Sequence, residues 1–404
     1  MSADWSRVRL DTIATVSSGG SAPQDPRYFG GPHRFVRVSH LDADKHAVIG
    51  FDPITDEAVR DYGLRLFPAG TIVLPKSGAS VRLEKRAVLP FDSYLVSHLA
   101  AIQPHPEGVD PEFLFFGLIR QRLAEGKLEA YPTLRISDIR ATEIPLPSVA
   151  EQRVIARTLR AIQDDRARND RVIQAVKSVK AALAREVFSA YRGESGDVSW
   201  IPLRQIAQIG NGSTPKRDKA AYWEGGTIPW LTSGKAHDTV ITAADEFVTP
   251  VARRECHLPL VPAGSLVIAI TGQGKTRGLT ALLDVDACIS QHLAYVRFTH
   301  QEVAPEFMLE FLATRYENLR TVSASGGSTK AALTCAFLRT YEVPLPSLAE
   351  QRLVARRLQT VNDKIAAETQ RARTIDGLME SGLERLMAGT EFPRLLLKSS
   401  DVSG

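Results

Sequence analysis

The segment Ile144–Asp165 reads IPLPSVAEQRVIARTLRAIQDD, and the segment Val343–Lys364, 199 residues further along, reads VPLPSLAEQRLVARRLQTVNDK. Each copy has a serine after a proline and a glutamate three residues later, the pattern of a capping box at a helix start. A catalytic motif is rarely needed twice, whereas a device that joins two similar halves often is. The predicted cap residues are Ser148 with Glu151 and Ser347 with Glu350.

Downstream of each cap, apolar residues recur every three or four positions, as in a coiled-coil seam. The seam runs from Ile155 to Val187 in the first copy and from Val354 to Leu386 in the second. A continuous helix from Ser148 to Tyr191 would extend about 65 Å. We therefore expect the two helices to bury their seams against each other in antiparallel orientation. The alternative is that each helix packs only on its own domain.

The segments before the two helices also repeat, with a spacing of 194 residues. The motifs PAG, HLA and PEF occur in the same order in both halves. We therefore predict an α+β fold in which two similar α/β globular domains alternate with two long helices, related by an internal pseudo-twofold axis. The predicted boundaries are 1–146 for the first domain, 147–192 for the first helix, 193–345 for the second domain, 346–391 for the second helix and 392–404 for a C-terminal tail.

The composition fits a soluble globular protein with a mild basic excess, since the net charge is +4. Such a balance is compatible with a nucleic-acid partner but does not require one. The three cysteines are far apart and form no CxxC pair, which indicates reduced thiols and no cysteine-built zinc site. The N-terminal MSADWSRVRL lacks the apolar region of a secretory signal, and we expect a cytoplasmic protein without a membrane partner.

The paired PLPSVAEQR and PLPSLAEQR helix starts, each closing a PAG–HLA–PEF domain, resemble the DNA-specificity subunit of type I restriction-modification systems. The resemblance covers essentially the whole chain. It implies that each globular unit is a target-recognition domain reading one half of a split, asymmetric site in double-stranded DNA. It also implies that the two helices are spacers that fix the gap between the half-sites.

The same resemblance implies that the chain performs no chemistry and binds no cofactor or metal. Its implied partners are two methyltransferase subunits and motor-nuclease subunits. The assembled complex would use S-adenosylmethionine, and ATP with Mg²⁺ where the motor-nuclease subunit is present. The geometry predicted from the repeat agrees, because two similar domains related by a twofold axis suit inverted half-sites.

The candidate DNA contacts are basic and hydroxyl side chains in the predicted loops, since Arg and Lys suit guanine edges or phosphates and Ser and Thr suit several bases. Base contacts and phosphate contacts cannot be separated by sequence, and a solvated basic loop is the alternative for each residue. In the first domain the candidates are Arg37, Ser39, His40, Lys76, Ser77, Arg82, Lys85, Arg86, Thr133 and Arg135, with Tyr131 beside them. In the second domain they are Lys216, Arg217, Lys219, Ser233, Lys235, Gln273, Lys275, Thr276, Arg277, Ser328, Thr329 and Lys330.

Several motifs resemble other kinds of site. The segment AITGQGKTRG has Ala269 where a phosphate-binding P-loop needs glycine, and a strand-like stretch follows it where a helix should. His98 and His292 occupy equivalent places in the two HLA motifs, which favours a structural role over ligand binding. Trp230 is expected in the core, because its segment alternates like a half-buried strand. A DNA-modifying enzyme and a scaffold with protein-binding repeat domains are the alternative functions.

Overall fold

The computed structural model describes residues 5–42, 46–125, 132–191, 198–272, 275–324 and 333–388 of the 404-residue chain. The chain divides into two compact units, one from Met1–Asp170 with Gln370–Gly404 and the other from Arg171–Thr369. Each unit contains one α/β domain and one segment from each of two long helices.

The first domain contains a six-stranded sheet of order β2-β11-β8-β9-β5-β4, a four-stranded sheet of order β6-β3-β10-β7, and the pair β1-β12. Its strands are β1 (Ser6–Arg9), β2 (Ala14–Ser18), β3 (Phe29–Val36), β4 (Leu41–Asp42), β5 (Ala47–Val48), β6 (Asp52–Ile54), β7 (Leu66–Phe67), β8 (Ile72–Pro75), β9 (Ala87–Val88), β10 (Ser93–Leu95), β11 (Leu99–Pro104) and β12 (Glu143–Leu146). Its helices are α1 (Leu10–Ile13), α2 (Asp56–Asp61), α3 (Pro111–Arg120) and α4 (Ile136–Ala141), and the long helix α5 (Val149–Ala190) follows.

The second domain repeats this plan with a five-stranded sheet of order β14-β21-β18-β19-β16, a three-stranded sheet of order β17-β15-β20, and the pair β13-β22. Its strands are β13 (Ser199–Pro202), β14 (Ala207–Asn211), β15 (Ile228–Leu231), β16 (Val240–Ile241), β17 (Glu246–Val248), β18 (Leu266–Ala269), β19 (Thr280–Leu283), β20 (Cys288–Ile289), β21 (Leu293–Phe298) and β22 (Glu342–Leu345). Its helices are α6 (Pro250–Glu255), α7 (Pro305–Thr314), α8 (Tyr316–Ala324) and α9 (Cys335–Thr340), and the long helix α10 (Leu348–Met387) follows.

The largest sheet of each domain is buried on both faces. In the first domain, Ile72 and Leu74 of β8 pack with the phenylalanines of α3, whereas Val73 packs with Phe35 of the four-stranded sheet. Strand β18 divides its side chains between two clusters in the same way. Successive side chains of a strand point to opposite faces, so a strand between two layers needs apolar residues at every position. This explains why β8 and β18 are buried at every position.

The capping box forms completely at the start of α5 only. There the Ser148 backbone N–H donates to Glu151 Oε2 at 2.9 Å, and the Glu151 N–H donates to Ser148 Oγ at 3.3 Å. At the start of α10, the Glu350 N–H donates to Ser347 Oγ at 3.3 Å, and the Glu350 carboxylate accepts a bond of 3.0 Å from the Tyr191 hydroxyl. Burial, together with this bond, raises the pKa of Tyr191, so the hydroxyl stays protonated and donates.

A buried glutamine holds the first turn of each long helix to its domain. Gln351 is fully buried; its Oε1 accepts from the Ala304 N–H at 2.9 Å, and its Nε2 donates to the carbonyls of Glu302 and Pro346 at 2.9 and 2.8 Å. Gln152 makes the equivalent three bonds to the Asp110 N–H and to the carbonyls of Gly108 and Pro147. The repeated AEQR motif therefore encodes both a helix start and its attachment.

Within the first unit, the N-terminal segment of α5 packs antiparallel to the C-terminal segment of α10. Leu159 lies against Gly382, where a Cβ would come within 3.1 Å of the leucine side chain. Further along α5, Arg166 pairs with Asp376 at 2.7 Å, nearer the start of α10. Met387 at the end of α10 is fully buried in the core beneath α3. The packing of each helix on its own domain alone is therefore wrong, and the expected antiparallel pairing is confirmed.

The second unit contains the other two segments, held by a buried polar group of three residues. Glu310 on α7 is 5% exposed, and its carboxylate accepts from Lys180 Nζ of α5 at 3.0 Å and from Asn362 Nδ2 of α10 at 2.8 Å. The equivalent positions of the first unit hold Phe116, Gln163 and Met379. Phe116 and Met379 pack in its apolar core. Within each pair of segments, increasing numbers on α5 meet decreasing numbers on α10.

The core also matches the sequence at Trp230, which is 2% exposed, as expected. Helices α5 and α10 lie inside the spans predicted for them, 147–192 and 346–391. The predicted tail 392–404 lies outside the described residues.

Replacing Gln351 with alanine is expected to lower the free energy of unfolding by about 3 kcal/mol, because a buried amide N–H and a buried carbonyl lose their partners. The measurement is the urea midpoint followed by circular dichroism. Gln359→Ala, on the exposed side of the same helix, is the control and should change the free energy by less than about 0.5 kcal/mol. Equal urea midpoints for the two variants would show that the buried hydrogen bonds of Gln351 contribute nothing to stability.

Candidate nucleic-acid interface

Three segments of the first domain meet at the end of strand β8. The Lys76 N–H donates to the His98 carbonyl at 2.8 Å, and the Leu134 N–H donates to the Lys76 carbonyl at 2.7 Å. The Gly78 N–H donates to the Pro132 carbonyl at 3.0 Å. We call segments 76–78, 96–98 and 132–135 the first loop cluster. Because backbone bonds hold it together, its side chains can vary without loss of the arrangement.

The second domain builds the same arrangement at the end of β18. The Ile270 N–H donates to the His292 carbonyl at 3.0 Å, and the Leu333 N–H donates to the Ile270 carbonyl at 2.9 Å. Segments 270–272, 290–292 and 333–334 form the second loop cluster. The Ser290 N–H donates to the Leu231 carbonyl at 2.9 Å, which brings the segment after β15 beside this cluster.

Each cluster presents one histidine paired with a hydroxyl. Ser77 Oγ lies 2.6 Å from His98 Nδ1, and Thr271 Oγ1 lies 2.7 Å from His292 Nδ1. Both imidazole rings are exposed, and neither is in the core. The sequence reading favoured a structural role for these histidines and omitted them from the interface. Their equivalent positions in the two HLA motifs were the sequence signal that could have placed them in the predicted interface.

Of the residues predicted in the first domain, Lys76, Ser77, Thr133 and Arg135 belong to the first loop cluster. The segment of Arg37, Ser39 and His40 adjoins it, because the Val96 N–H donates to the Val36 carbonyl at 3.1 Å. Asp52 forms an ion pair with Arg37 and lies 3.5 Å from the His40 ring. This carboxylate contacts both side chains and partly neutralises the charge of Arg37.

Two predicted contacts are contradicted by burial. Arg86 is 1% exposed, pairs with Glu84, and donates to the Gln121 carbonyl at 3.3 Å. Burial lowers the pKa of Arg86 while Glu84 opposes that shift, as in a structural ion pair. Arg277 is 9% exposed, so little of its surface is available to a ligand outside the domain. Lys85 is half-buried, and its Nζ donates to the Leu41 carbonyl at 2.6 Å. This bond attaches the segment of Lys85 to strand β4.

The basic residues around segment 216–235 are held by acidic neighbours. Arg217 pairs with Glu246 and lies over the Trp223 ring, 4.1 Å from its centroid. Lys219 pairs with Glu255 at 2.7 Å, and this bond raises the pKa of the lysine. Lys235 pairs with Asp238 at 2.7 Å, which likewise raises its pKa. These cations are fixed in position before any ligand binds.

The remaining candidates differ in how the structure places them. Arg82, Lys216 and Lys275 are exposed, and Ser233 lies on the segment that adjoins the second loop cluster. Thr276 Oγ1 lies 3.1 Å from His237 Nε2. Gln273, Ser328, Thr329 and Lys330, together with Tyr131, lie outside the described residues.

Comparison with known proteins decides the family. The family model for the type I restriction modification DNA specificity domain matches residues 2–177 and 196–376, one match in each repeat. The chain belongs to this family.

Relatives and solved structures agree with that membership. The chain is 23% identical over 178 residues to the EcoR124I/EcoR124II specificity subunit of Escherichia coli, an alignment covering 43% of this chain and 44% of that subunit. It is 22% identical over 415 residues to the putative MjaX specificity subunit of Methanocaldococcus jannaschii, covering 96% and 93% of the two chains. Thus the chain spans less than half of the first relative and nearly all of the second.

The fold is shared with a type I restriction-modification S subunit from M. genitalium, with a TM-score of 0.59, 16% identity and coverage of 95% and 96%. A chain from a structure of type I R-M complex assembly gives a TM-score of 0.62 at 19% identity, with coverage of 97% and 100%. The predicted fold class and the predicted DNA-specificity subunit are thereby confirmed. The matching family model is one of DNA specificity, and the curated relatives are named specificity subunits.

The described part of the chain can also be considered for a metal site and for a membrane-spanning helix. No group of three or more histidine, cysteine, aspartate or glutamate side chains there is arranged to hold a metal ion. None of the helices described is both long enough and apolar enough to cross a membrane.

The buried ion pair between Arg86 and Glu84 should contribute measurably to the stability of the protein. Arg86→Ala is expected to lower the free energy of unfolding by about 3–5 kcal/mol, because Glu84 is left half-buried without its partner. Arg82→Ala, four residues away and exposed, should change that free energy by less than about 0.5 kcal/mol. Thermal unfolding by circular dichroism compares the two variants, and equal midpoints would contradict the structural role of Arg86.

Proposed function

We propose that this specificity subunit reads a bipartite, asymmetric site in double-stranded DNA, with one loop cluster contacting each half-site. The observation that supports it is the pair of clusters with the same backbone bonds and different side chains. Lys76 and Arg135 of the first cluster correspond to Ile270 and Thr334 of the second. A shared backbone gives both domains the same pose on DNA, and different side chains give each domain different bases.

The features common to both clusters fit the contacts that carry no sequence information. The hydroxyl–histidine pairs Ser77–His98 and Thr271–His292 are nearly identical, so they cannot distinguish two unlike half-sites. An exposed imidazole can donate a hydrogen bond to a phosphate oxygen, and phosphate contacts set the register of a protein on a duplex. We assign these pairs to the DNA backbone and the variable residues to base edges.

The partners follow from the family resemblance. The subunit would place two methyltransferase subunits on its site through the long helices, with motor-nuclease subunits joining where the system has them. These partners would bind S-adenosylmethionine, and ATP with Mg²⁺, in the bacterial or archaeal cytoplasm. The two helices would set the distance between half-sites.

Selection from a random duplex library tests the proposal, using the full chain purified with co-expressed methyltransferase subunits at near-physiological salt. The expected result is a gapped consensus of two unlike half-sites. Exchanging residues 1–143 for the corresponding segment of another family member should change one half-site and leave the other unchanged. A single contiguous consensus would mean that one cluster reads no sequence, and no enrichment with a stable complex would favour a protein-binding scaffold.

Lengthening both long helices by one heptad tests the spacer. Seven residues add about 10 Å of helix, or about three base pairs at 3.4 Å each. One heptad is inserted in α5 and one in α10, at positions that lie opposite each other, so that the apolar seam keeps its register. The gap between the half-sites should then grow by about three base pairs, while both half-sites stay the same. The same selection measures the gap, and an unchanged gap would refute the spacer role.

A further inference from the structure

Helices α2 and α6 are the same element in the two domains. Thr55 Oγ1 accepts from the Ala58 N–H at 3.2 Å, and Thr249 Oγ1 accepts from the Ala252 N–H at 3.1 Å. Each helix ends in the same turn, in which a backbone N–H donates at 3.0 Å to the carbonyl five residues earlier. This identity of backbone makes the side-chain differences between α2 and α6 informative.

The turn after each helix needs a left-handed residue. Gly63 fills the position in the first domain with φ of +56°, and His257 fills it in the second with φ of +50°. A side chain at such an angle is strained relative to glycine. A Cβ at Gly63 would meet no atom within 4 Å, so glycine is not there for lack of space. The second domain thus keeps an imidazole at a strained position, which points to a role for the side chain.

His257 lines an open cavity of about 540 Å³ beside α6. Arg253 and Arg254 line it with the imidazole, and the rest of the lining is apolar: Ile228, Pro250 and Leu258. The first domain has Val59 and Gly63 where the second has Arg253 and His257. Its helix α2 also begins with two acidic residues that α6 lacks. The first domain therefore lacks the counterparts of Arg253 and His257, although it keeps an arginine, Arg60, at the position of Arg254.

The one carboxylate of α6 is committed elsewhere. Glu255 accepts from Lys219 Nζ and from the Tyr222 hydroxyl, both at 2.7 Å, and these bonds lower its pKa. Among the residues that the structure describes, no carboxylate lies within ion-pair distance of Arg253 or Arg254. Both arginine side chains are exposed, so their guanidinium groups are accessible to an anion.

The cavity is separate from the second loop cluster. Ile228 begins strand β15, whereas Leu231 ends it and accepts the backbone bond from Ser290 of the cluster. A strand advances about 3.3 Å per residue, so the cavity and the cluster lie at opposite ends of a segment about 10 Å long. A duplex held at the cluster has backbone phosphates within that distance.

We propose that this cavity is a phosphate-binding site, in which Arg253, Arg254 and His257 contact the anion. Guanidinium groups suit phosphate because they donate paired hydrogen bonds in a fixed plane. The phosphate can come from the DNA backbone beyond the recognised half-site, an assignment that rests on the proposed function, or from a free phosphate compound, an assignment that does not. The apolar wall of the cavity accommodates the remainder of either ligand.

Calorimetric titration of the full chain with inorganic pyrophosphate tests the site. Wild type and Arg60→Gln, the first-domain counterpart of Arg254, should bind with equal affinity. The double variant Arg253→Gln, Arg254→Gln should bind at least tenfold more weakly. His257→Gly should bind several-fold more weakly and yet unfold at an equal or higher temperature, because glycine relieves the turn. Equal affinity in all four proteins, or no binding to wild type, would overturn the proposal.

DNA binding then identifies the source of the phosphate. Two duplexes carry the selected site, one ending at the second half-site and one extended by five base pairs. If the site holds the DNA backbone, the double variant weakens binding of the extended duplex only and reduces the salt dependence of that binding. If the double variant binds both duplexes as tightly as wild type does but no longer binds pyrophosphate, the ligand is a free phosphate compound. Wild type that binds pyrophosphate but no duplex would refute the proposed function and leave the site standing.

Discussion

A buried side-chain amide fixes each long helix to the domain that precedes it. Gln152 and Gln351 are fully buried, and each satisfies one backbone N–H and two backbone carbonyls drawn from the helix start and from the loop before α3 or α7. No water-exposed contact could set the direction of a helix of 40 residues as firmly, because an unsatisfied buried amide is costly in every other orientation. The seams and ion pairs further along act on a helix whose direction is already set.

The repeated architecture depends on features that are local in sequence, and these were predictable. Helix starts, apolar periodicity and turn glycines lie within a few residues of one another, so the starts of α5 and α10 could be placed to within two residues. Burial of charge was not predictable in the same way. Arg86 is buried because Glu84 and the distant Gln121 carbonyl satisfy it, and Glu350 leaves its expected cap because Tyr191 reaches it from 159 residues away.

The two domains share backbone structure at places where many of their side chains differ. Backbone bonds recur at equivalent places in both loop clusters and in both turns after α2 and α6, whereas Lys76 and Arg135 correspond to Ile270 and Thr334. The candidate site was therefore predictable as a set of loops and only partly as a set of residues. His98 and His292 were left out of the predicted interface because their hydroxyl partners lie 21 residues away, just after β8 and β18, and the tertiary fold creates these pairs.

The buried group of Lys180, Glu310 and Asn362 shows how far the two repeats have diverged. A chain with two copies of the first repeat would bring Phe116, Gln163 and Lys180 together in each unit, and the half-buried lysine would have no carboxylate partner there. A chain that mixed the two sets would bury the Glu310 carboxylate against Met379, which provides no counter-charge. The two repeats are therefore no longer interchangeable within this polypeptide. A recombination event that exchanges domains preserves the buried packing only if it also carries the matching segments of α5 and α10.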